Sequence, residues 1–258
     1  MILVTGATGT VGAVVVGQLR ATGAEIRVAA RSPGRVVDHG AADAVAFDFT
    51  DPATWAGALD GVRSMFFVRP PALGNVTRDL LPAVAAARDA GVEHVVFLSL
   101  QGAERNRLVP HATVEAWLRA SGLQWTFVRA SFFCQNLSTT QVSDVRDRDR
   151  DRDEIVVPAG RGATAFVDAD DVGAVAAAAL LDRHRHAQQA WTVTGPRALT
   201  YRQVAGILTV ELDRPIRYAD PSVVRYSGMP VAPSRCRGGW WRSPPRSTPP
   251  LAWVWPLA

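Results

Sequence analysis

The sequence predicts an α/β fold built on a doubly wound parallel sheet, and three observations support this prediction. Short apolar runs typical of strands alternate with amphipathic helical patterns along most of the chain. A glycine-rich stretch follows the first apolar run directly and leads into a helical pattern. Several helical patterns end at a glycine, which is a common helix stop.

The individual elements follow from the spacing of apolar residues. Buried parallel strands are expected at Ile2–Thr5, Glu25–Ala30, Ala44–Asp48, Ser64–Arg69, His94–Leu98 and Gln124–Arg129, with a later strand around Trp191–Thr194. Amphipathic helices are expected at Val11–Thr22, Val76–Ala90 and Thr113–Ser121, with Gly23, Gly91 and Gly122 as their stops. This repeated strand–helix order is typical of a doubly wound sheet.

Length and composition indicate a cytoplasmic globular protein. The chain has 258 residues, of which 48% are hydrophobic, so it can bury a substantial core. No apolar run reaches the roughly 18 residues that span a bilayer, and no leader precedes the first strand. The net charge of +4 is not gathered into one basic stripe. We therefore expect a small-molecule ligand rather than nucleic acid or membrane, and a monomer or homodimer.

Cysteine and lysine usage narrow the chemistry. Cys134 and Cys236 lie far apart and lack metal-ligand spacing, so neither a disulfide framework nor a metal site is expected. Cys134 is interpreted as a buried thiol. The chain contains no lysine, which excludes any mechanism that needs a lysine amine.

The glycine-rich stretch "TGATGTVG", residues 5–12, predicts a dinucleotide site. Gly6 suits a tight turn, Gly9 lets the backbone approach a pyrophosphate, and Gly12 lets the following helix pack closely. The helix N-terminus adds free N–H groups and a partial positive charge. Together with Ala7, Thr8, Thr10 and Val11, these glycines form the predicted phosphate-binding loop.

The end of the second strand indicates which dinucleotide is bound. An acidic residue there would favour NAD, but the sequence places Arg31 and Ser32 at this point. An Arg fork suits a ribose 2′-phosphate, so NADP(H) is preferred over NAD(H); a plain surface Arg is the alternative. Further cofactor contacts are expected from residues after the third and fourth strands, namely Asp48, Phe49, Phe67, Val68 and Arg69.

The chain resembles the atypical short-chain dehydrogenases/reductases of the NmrA-like, NAD(P)H-binding group. The resemblance rests on "TGATGTVG", "VVFLSLQGAE", "HATVEAWLRASGLQWTFVRASFFCQN" and "TAFVDADDVGAVAAAAL", and it covers about Met1 to Tyr226. It implies a Rossmann-like domain over residues 1–226, with a substrate-binding portion from about residue 131. The group includes quinone, azo-dye and alkaloid-pathway reductases, and also regulators that bind the dinucleotide without turning it over.

The resemblance also implies positions for proton delivery. In the wider superfamily a Ser, a Tyr and a Lys perform this task, and here Ser99, His111 and Glu115 occupy the matching positions. His111 and Glu115 lie one helical turn apart, so the carboxylate could raise the pKa of the histidine and make it a general acid. Alternatively, His111 orients the nicotinamide ribose and Glu115 is a solvated helix residue.

The absence of a Tyr–Lys pair favours acceptors that need no strong local acid. We therefore expect hydride transfer to a quinone, azo, enone or iminium acceptor that is planar or conjugated. Phe132 and Phe133 could stack on such a ring, and Gln135 or Asn136 could bind its oxygen; alternatively, the Phe pair belongs to the core. The alternative function is a non-catalytic NADP(H)-binding redox sensor.

Three further segments carry expectations of their own. In "FVDADD" we expect Asp168 or Asp170 to cap the next helix rather than bind metal. The alternating "RDRDRDRDE", residues 146–154, is expected to be a solvated loop. Residues 227–258 lose all periodicity, contain no acidic residue and hold half of the tryptophans, which indicates either a frameshifted reading or a proline-rich, disordered tail.

Overall fold

A computed structural model describes residues 1–34, 44–139 and 153–227 of the chain. Its strands, in chain order, are β1 (Ile2–Val4), β2 (Ile26–Ala30), β3 (Ala44–Ala46), β4 (Ser64–Val68), β5 (His94–Leu100), β6 (Gln124–Ala130), β7 (Glu154–Val156), β8 (Ala163–Thr164), β9 (Gln189–Val193), β10 (Leu199–Thr200) and β11 (Arg217–Ala219). Most of the "RDRDRDRDE" repeat, Cys236 and the segment after residue 227 lie outside the described residues.

The helices connect these strands in the predicted order. They are α1 (Thr10–Ala21), α2 (Trp55–Leu59), α3 (Val76–Asp79), α4 (Leu81–Asp89), α5 (Pro110–Ala120), α6 (Asn136–Thr139), α7 (Ala169–Leu181), α8 (Arg183–His186), α9 (Tyr201–Glu211) and α10 (Val223–Ser227). In the described part of the chain, no helix is both long and apolar enough to cross a membrane.

The main sheet confirms the predicted fold class. Seven strands pair in the order β3-β2-β1-β4-β5-β6-β9, and every pairing in this sheet is parallel. The winding direction reverses between β1 and β4, which lie side by side at the centre of the sheet. In doubly wound folds this switch point opens a crevice at the carboxyl ends of the strands, where ligands bind.

Apolar packing on the sheet explains why the strands read as continuous hydrophobic runs. The rings of Phe67, Phe97 and Phe127 lie on adjacent strands and contact one another, with centroid separations of 5.0 and 6.4 Å along this row. All three rings are fully buried. A parallel sheet covered in this way has no polar face, so the sequences of its strands show no alternation of polar and apolar residues.

The predicted helix Val76–Ala90 is divided into α3 and α4. Pro82 has no N–H and its ring would clash with the carbonyl of the residue four positions earlier, so an uninterrupted helix is excluded. The chain breaks at Leu80, with φ of −125°, and α4 then starts with Pro82 in its first turn. The predicted glycine stops are confirmed, because Gly23, Gly91 and Gly122 all adopt positive φ.

Asp168 caps α7, as predicted. Its carboxylate accepts a hydrogen bond of 2.9 Å from the backbone N–H of Asp170. One turn into α7, Gly173 lies so close to α1 that a Cβ there would meet the side chain of Val14 at 2.5 Å. No sequence motif marked this glycine as a packing requirement.

The chain divides into two compact units. The first consists of residues 1–131 and 167–193 and contains the parallel sheet. The second consists of residues 132–166 and those from 194 onward, with the short pairs β8–β10 and β7–β11 beside α9. Its core includes Ile155, Phe166, Tyr201, Val204 and Ile216.

Candidate functional site

The glycine loop between β1 and α1 is held by Thr5. The Thr5 hydroxyl donates to the carbonyl of Phe66 at 2.9 Å and accepts from the N–H of Val68 at 3.0 Å, so the end of β1 is fixed to β4. The chain then turns at Gly6, whose φ of +64° is a left-handed conformation that glycine adopts without strain. The N–H of Gly9 closes the turn on the Gly6 carbonyl at 2.9 Å.

At position 12 the loop has room only for glycine. A Cβ on Gly12 would lie 2.1 Å from the carbonyl oxygen of Gly6, a separation that no side chain tolerates. A Cβ on Gly9 would lie 3.2 Å from the same oxygen. The loop therefore packs tightly against the first turn of α1, as the motif predicts for a dinucleotide site.

The first turn of α1 presents backbone N–H groups rather than a side-chain cap. Gly9 occupies the N-cap position, and no side chain caps the helix there. Thr8, Gly9 and Thr10 are exposed around this turn, whereas the side chain of Val11 is buried. Uncapped N–H groups with the helix dipole behind them form a suitable site for a pyrophosphate.

Arg31 and Ser32 follow β2 directly and are both exposed. β2 is the neighbour of β1 in the sheet, so both residues lie on the carboxyl-end side that also carries the glycine loop. The position and chemistry of Arg31 suit a ribose 2′-phosphate.

Two of the residues predicted to contact the cofactor, Phe49 and Phe67, have buried rings. The ring of Phe67 is fully buried and that of Phe49 is nearly so, and the two pack together with centroids 5.4 Å apart. Both rings belong to the sheet core, because Phe67 lies within β4 and faces inward. Asp48 is half-buried, and its carboxylate is engaged by the backbone N–H and hydroxyl of Thr50, each at 2.8 Å.

Val68 and Arg69 border the glycine loop and the next turn. A Cβ on Gly6 would lie 3.3 Å from the Val68 Cβ, so Val68 forms the wall beside the loop. Arg69 is buried, and its guanidinium donates to the carbonyls of Pro70 and Leu73 at 3.2 and 3.1 Å. Burial lowers the pKa of Arg69 from its ordinary value.

Ser99 and Glu115 meet in a buried ion-pair cluster. The Ser99 hydroxyl donates to the Glu115 carboxylate at 2.7 Å, and Arg129 of β6 donates two hydrogen bonds to the same carboxylate at 3.0 and 2.7 Å. Arg119 adds a fourth contact at 2.9 Å, and Glu104 lies 3.3 Å from Arg129. Only 1% of Glu115 is exposed, so this carboxylate is internal to the protein.

This cluster corrects both interpretations of Glu115. The residue is not solvated. Its carboxylate is engaged by arginines, and its upward effect on the pKa of His111 is outweighed by burial and by Arg69. Burial acts to raise the pKa of Glu115, but the hydrogen bonds from Arg129 and Ser99 outweigh it and the pKa lies below its usual value. The single hydroxyl hydrogen of Ser99 is donated to Glu115, so Ser99 has no hydrogen left to donate to a bound substrate.

Arg129 was not predicted from the sequence. A signal was present, since an Arg in the mainly apolar strand "QWTFVRA" requires a partner when it is buried. Ser99 and Arg129 are register partners in the pairing of β5 with β6, which brings both to Glu115.

His111 lies in the first turn of α5, against β5. Its ring stacks on Phe97 with centroids 5.7 Å apart and planes at 29°. Burial and the charge of Arg69 lower the pKa of His111 to about 3, and the opposing effect of Glu115 is the smallest of the three. The prediction that Glu115 makes His111 a general acid is therefore wrong, because His111 is neutral at physiological pH.

The loop after β6 belongs to the second unit. The residues predicted there to bind the acceptor differ in how far they are buried. Phe132 packs edge-on against Phe166 at 5.6 Å and lies 6.4 Å from Tyr201, so its ring is part of an aromatic core. Phe133, Gln135 and Asn136 are partly exposed. Cys134 is exposed and not in a disulfide, which overturns the prediction of a buried thiol.

Comparison with known proteins agrees with this geometry. The family model described as the NmrA-like family matches residues 1–230. An NAD(P)H azoreductase of Xenophilus azovorans is 34% identical over 227 residues, covering 84% of this chain and 76% of the relative. A (4-alkanoyl-5-oxo-2,5-dihydrofuran-3-yl)methyl phosphate reductase of Streptomyces griseus is 37% identical over 230 residues, covering 86% of this chain and 78% of the relative.

A solved structure shares the fold. The NADPH complex of the quinone oxidoreductase QOR2 of Escherichia coli superposes with a TM-score of 0.77 at 24% identity, covering 90% of this chain and 84% of that one. With the glycine loop and the parallel sheet in place, and with the family model matched along most of its length, the chain belongs to the NmrA-like family.

Proposed function

We propose that the chain is an NADP(H)-dependent reductase that passes hydride to a planar or conjugated small-molecule acceptor. The observation that carries this proposal is the glycine loop, in which Gly12 leaves no room for a Cβ and α1 starts without a side-chain cap. The family relationship supports a nicotinamide dinucleotide and a reductase activity in general. The acceptor class and the preference for NADP(H) are the finer parts of the proposal.

Each part of the site has a task in binding the cofactor. The backbone N–H groups of residues 6–12 would hold the pyrophosphate, and Arg31 with Ser32 would hold the ribose 2′-phosphate. Asp48 and Val68 would border the cofactor on either side of the loop. The bound dinucleotide supplies the hydride.

The acceptor class follows from what the chain can offer chemically. The chain has no lysine, its tyrosines lie at positions 201, 218 and 226, and His111 is too weak a base to carry a proton near neutral pH. An isolated ketone needs proton delivery when it is reduced. Quinones, azo compounds, enones and iminium ions need less, because charge in the product is delocalised or neutralised.

We assign acceptor contacts to the second unit, whose substrate-binding portion begins at about residue 131. Phe133, Gln135 and Asn136 are partly exposed and offer one flat ring and two amides. Phe132 would support them from the aromatic core rather than contact the acceptor.

The experiment is a turnover assay with purified protein and NADPH. The acceptors are a quinone, an azo dye, an enone and a cationic iminium-type dye, and the readout is loss of reduced-nicotinamide absorbance. The proposal expects turnover with at least one of these acceptors and slow or no turnover with a simple aliphatic ketone. Tight NADPH binding without turnover of any acceptor contradicts it.

Arg31 tests the cofactor preference. Arg31→Ser removes the guanidinium that would pair with the 2′-phosphate, and we expect about 10- to 100-fold weaker NADPH binding with NADH binding nearly unchanged. Fluorescence titration of both cofactors gives the ratio. Arg20→Ser, on the exposed side of α1, is the matched control and should leave both affinities as they are. Equal loss for both cofactors would show that Arg31 does not read the 2′-phosphate.

One observation favours a second function, a redox sensor that binds the dinucleotide without turning it over. Of the three positions for proton delivery, Ser99 and Glu115 are engaged with Arg129 in a buried cluster, and the pKa of His111 is lowered to about 3, so none offers an acidic proton near neutral pH. The turnover assay separates the two functions. A sensor would discriminate NADP⁺ from NADPH in affinity, yet consume neither with any acceptor.

A further inference from the structure

Two features that the cofactor site does not explain fix the position of His111. It lies just after Pro110, which begins α5, so its backbone position is fixed by the helix start. Its ring stacks on Phe97, which is fully buried in β5 and cannot move aside. The imidazole is therefore held in one orientation at the carboxyl-end half of the sheet, where Arg69 also lies.

The two ring nitrogens of His111 are in different situations. Nδ1 is buried and has no hydrogen-bond partner among the described residues. A buried N–H without a partner is rarer and more unfavourable than a buried lone pair without one. The hydrogen of the neutral ring is therefore on Nε2, and Nδ1 carries the lone pair.

Burial and the positive charge of Arg69 keep the His111 ring neutral, against the smaller opposing effect of Glu115. Arg69 faces it from the end of β4 and Glu115 faces it from its own helix, while the Ser99 hydroxyl on β5 is directed at Glu115. Because burial and Arg69 act together, the pKa falls to about 3, far below any working pH. The ring can donate a hydrogen bond through Nε2–H without ever acting as an acid.

We propose that His111 is a fixed, neutral hydrogen-bond donor that binds the carbonyl oxygen of a conjugated acceptor through its Nε2–H. This assignment rests on the proposed reductase function, and it applies to those of its acceptors that carry a carbonyl oxygen, such as quinones and enones. Arg69 beside the ring adds positive charge where negative charge develops on that oxygen.

The electron balance explains why the oxygen matters. When a conjugated carbonyl accepts hydride from the reduced nicotinamide, a C–H bond forms and the carbonyl π electrons move onto oxygen. The nicotinamide is oxidised, and the oxyanion takes its proton from water. An iminium acceptor differs, because its electron pair neutralises nitrogen and no oxyanion forms. A hydrogen bond to a developing charge is stronger than one to a neutral carbonyl, so the donor acts mainly in the transition state.

The kinetic test compares two variants on two acceptors. His111→Phe keeps the stack on Phe97 and removes the donor, and His111→Gln keeps an N–H donor that does not titrate. With a naphthoquinone we expect kcat/KM to fall about 10- to 100-fold in the Phe variant and to recover largely in the Gln variant. With an oxygen-free cationic dye both variants should stay within about twofold of wild type. The proposal is overturned if the Phe variant loses kcat/KM equally on both acceptors. It is also overturned if the wild type turns over the dye but not the quinone.

A second measurement does not depend on turnover. Nitrogen NMR of ¹⁵N-histidine-labelled protein, assigned with the Phe variant, should show His111 as the neutral Nε2–H tautomer from about pH 5 to about pH 8. Adding NADP⁺ and the corresponding naphthohydroquinone should shift the Nε2–H signal. If wild type turns over none of the four acceptors of the turnover assay, the reductase function fails, and this spectrum alone decides the role of His111. The proposal is overturned if His111 is the Nδ1–H tautomer, if its ring titrates within that pH range, or if its Nε2–H signal does not shift.

Discussion

At Gly12 the glycine loop leaves no room for even the smallest side chain. In Gly12→Ala the new Cβ would lie 2.1 Å from the Gly6 carbonyl oxygen, so either the loop or α1 must move. We expect at least about tenfold weaker NADPH binding and an unfolding free energy lower by about 1 to 3 kcal/mol. Fluorescence titration and urea denaturation measure the two effects.

Gly17 provides the matched control for this substitution. It lies in the same helix, is exposed, and a Cβ there meets nothing within 4 Å. Gly17→Ala should therefore stabilise the protein by about 0.5 to 1 kcal/mol and leave NADPH binding unchanged. If Gly12→Ala behaves like Gly17→Ala, the tight-loop geometry is incorrect.

Among single residues, the sequence identified backbone requirements more reliably than side-chain directions. Gly6 and Gly12 were predicted from the spacing of the motif alone, because only glycine fits the positive φ at Gly6 and the lack of space at Gly12. Phe67 was assigned to the cofactor although its ring is fully buried. A run such as "SMFFV" is buried on both faces of the sheet. Its sequence therefore does not indicate which face each apolar side chain points to.

The buried Glu115–Arg129 ion pair joins α5 to β6, and Ser99 of β5 donates to the same carboxylate. Removing one partner of a buried pair leaves the other charge without compensation, so we expect Glu115→Ala to lower the unfolding free energy by about 3 to 5 kcal/mol. Replacing both Glu115 and Arg129 with Leu should recover much of that loss. Urea denaturation at neutral pH measures all three proteins.

An exposed pair serves as the control for this cycle. Asp89 lies 2.9 Å from Arg88 at the end of α4, and 66% of its side chain is exposed. Asp89→Asn should change stability little, because surface pairs are screened by water and salt. A small effect of Glu115→Ala, similar to that of Asp89→Asn, would contradict the structural importance of the buried pair.

His94 connects β5, β6 and α8 and makes stability depend on pH. The Thr126 hydroxyl donates to the His186 carbonyl at 2.7 Å and therefore accepts from His94 Nε2–H at 2.9 Å. Burial, with Arg183 and His186 nearby, lowers the pKa of His94 to about 4 from 6.5. Since the unfolded chain binds the proton more readily, stability is lost as the pH falls from 6.5 towards 4.

The test compares His94→Gln, which keeps a donor to Thr126 but does not titrate. Between about pH 7 and pH 5, wild type should lose about 2 kcal/mol more unfolding free energy than the variant. Urea denaturation at both pH values gives the difference. Parallel losses in the two proteins would mean that His94 is not the titrating group, and the remaining acid sensitivity would then belong to other residues such as His111.

Among elements, long periodic segments were predictable and short ones were not. The seven strands of the sheet were all predicted within two or three residues at each end, because their runs are apolar and bounded by helices. The pairs β8–β10 and β7–β11 were missed, since strands of two or three residues show no period. The partner of Glu115 was also missed, because the pairing register that brings Arg129 to it is a property of the folded sheet.

For the chain as a whole, the two units differ in how far the sequence specifies them. The first unit contains the glycine loop, the buried ion pair and the sheet that positions them. The second unit has a small aromatic core around Tyr201, which stacks on Tyr218 at 5.8 Å and packs edge-on against Phe166 at 5.5 Å. Cofactor binding can be tested through the glycine loop of the first unit, and the proposed acceptor contacts through variants of His111 and of Phe133.

The final prediction concerns the reading frame of residues 227–258. The family model matches residues 1–230, close to the point at which strand and helix periodicity is lost. Beyond it the segment has no Asp or Glu and is rich in Arg, Pro, Gly and Trp, a composition that out-of-frame translation of a GC-rich gene produces. We expect resequenced DNA, read in another frame from near the codon of Tyr226, to encode amphipathic segments with mixed charges. Confirmation of the present frame, with stop codons in the others, would instead establish a genuine proline-rich tail, and its aromatic residues would then be candidates for partner contacts.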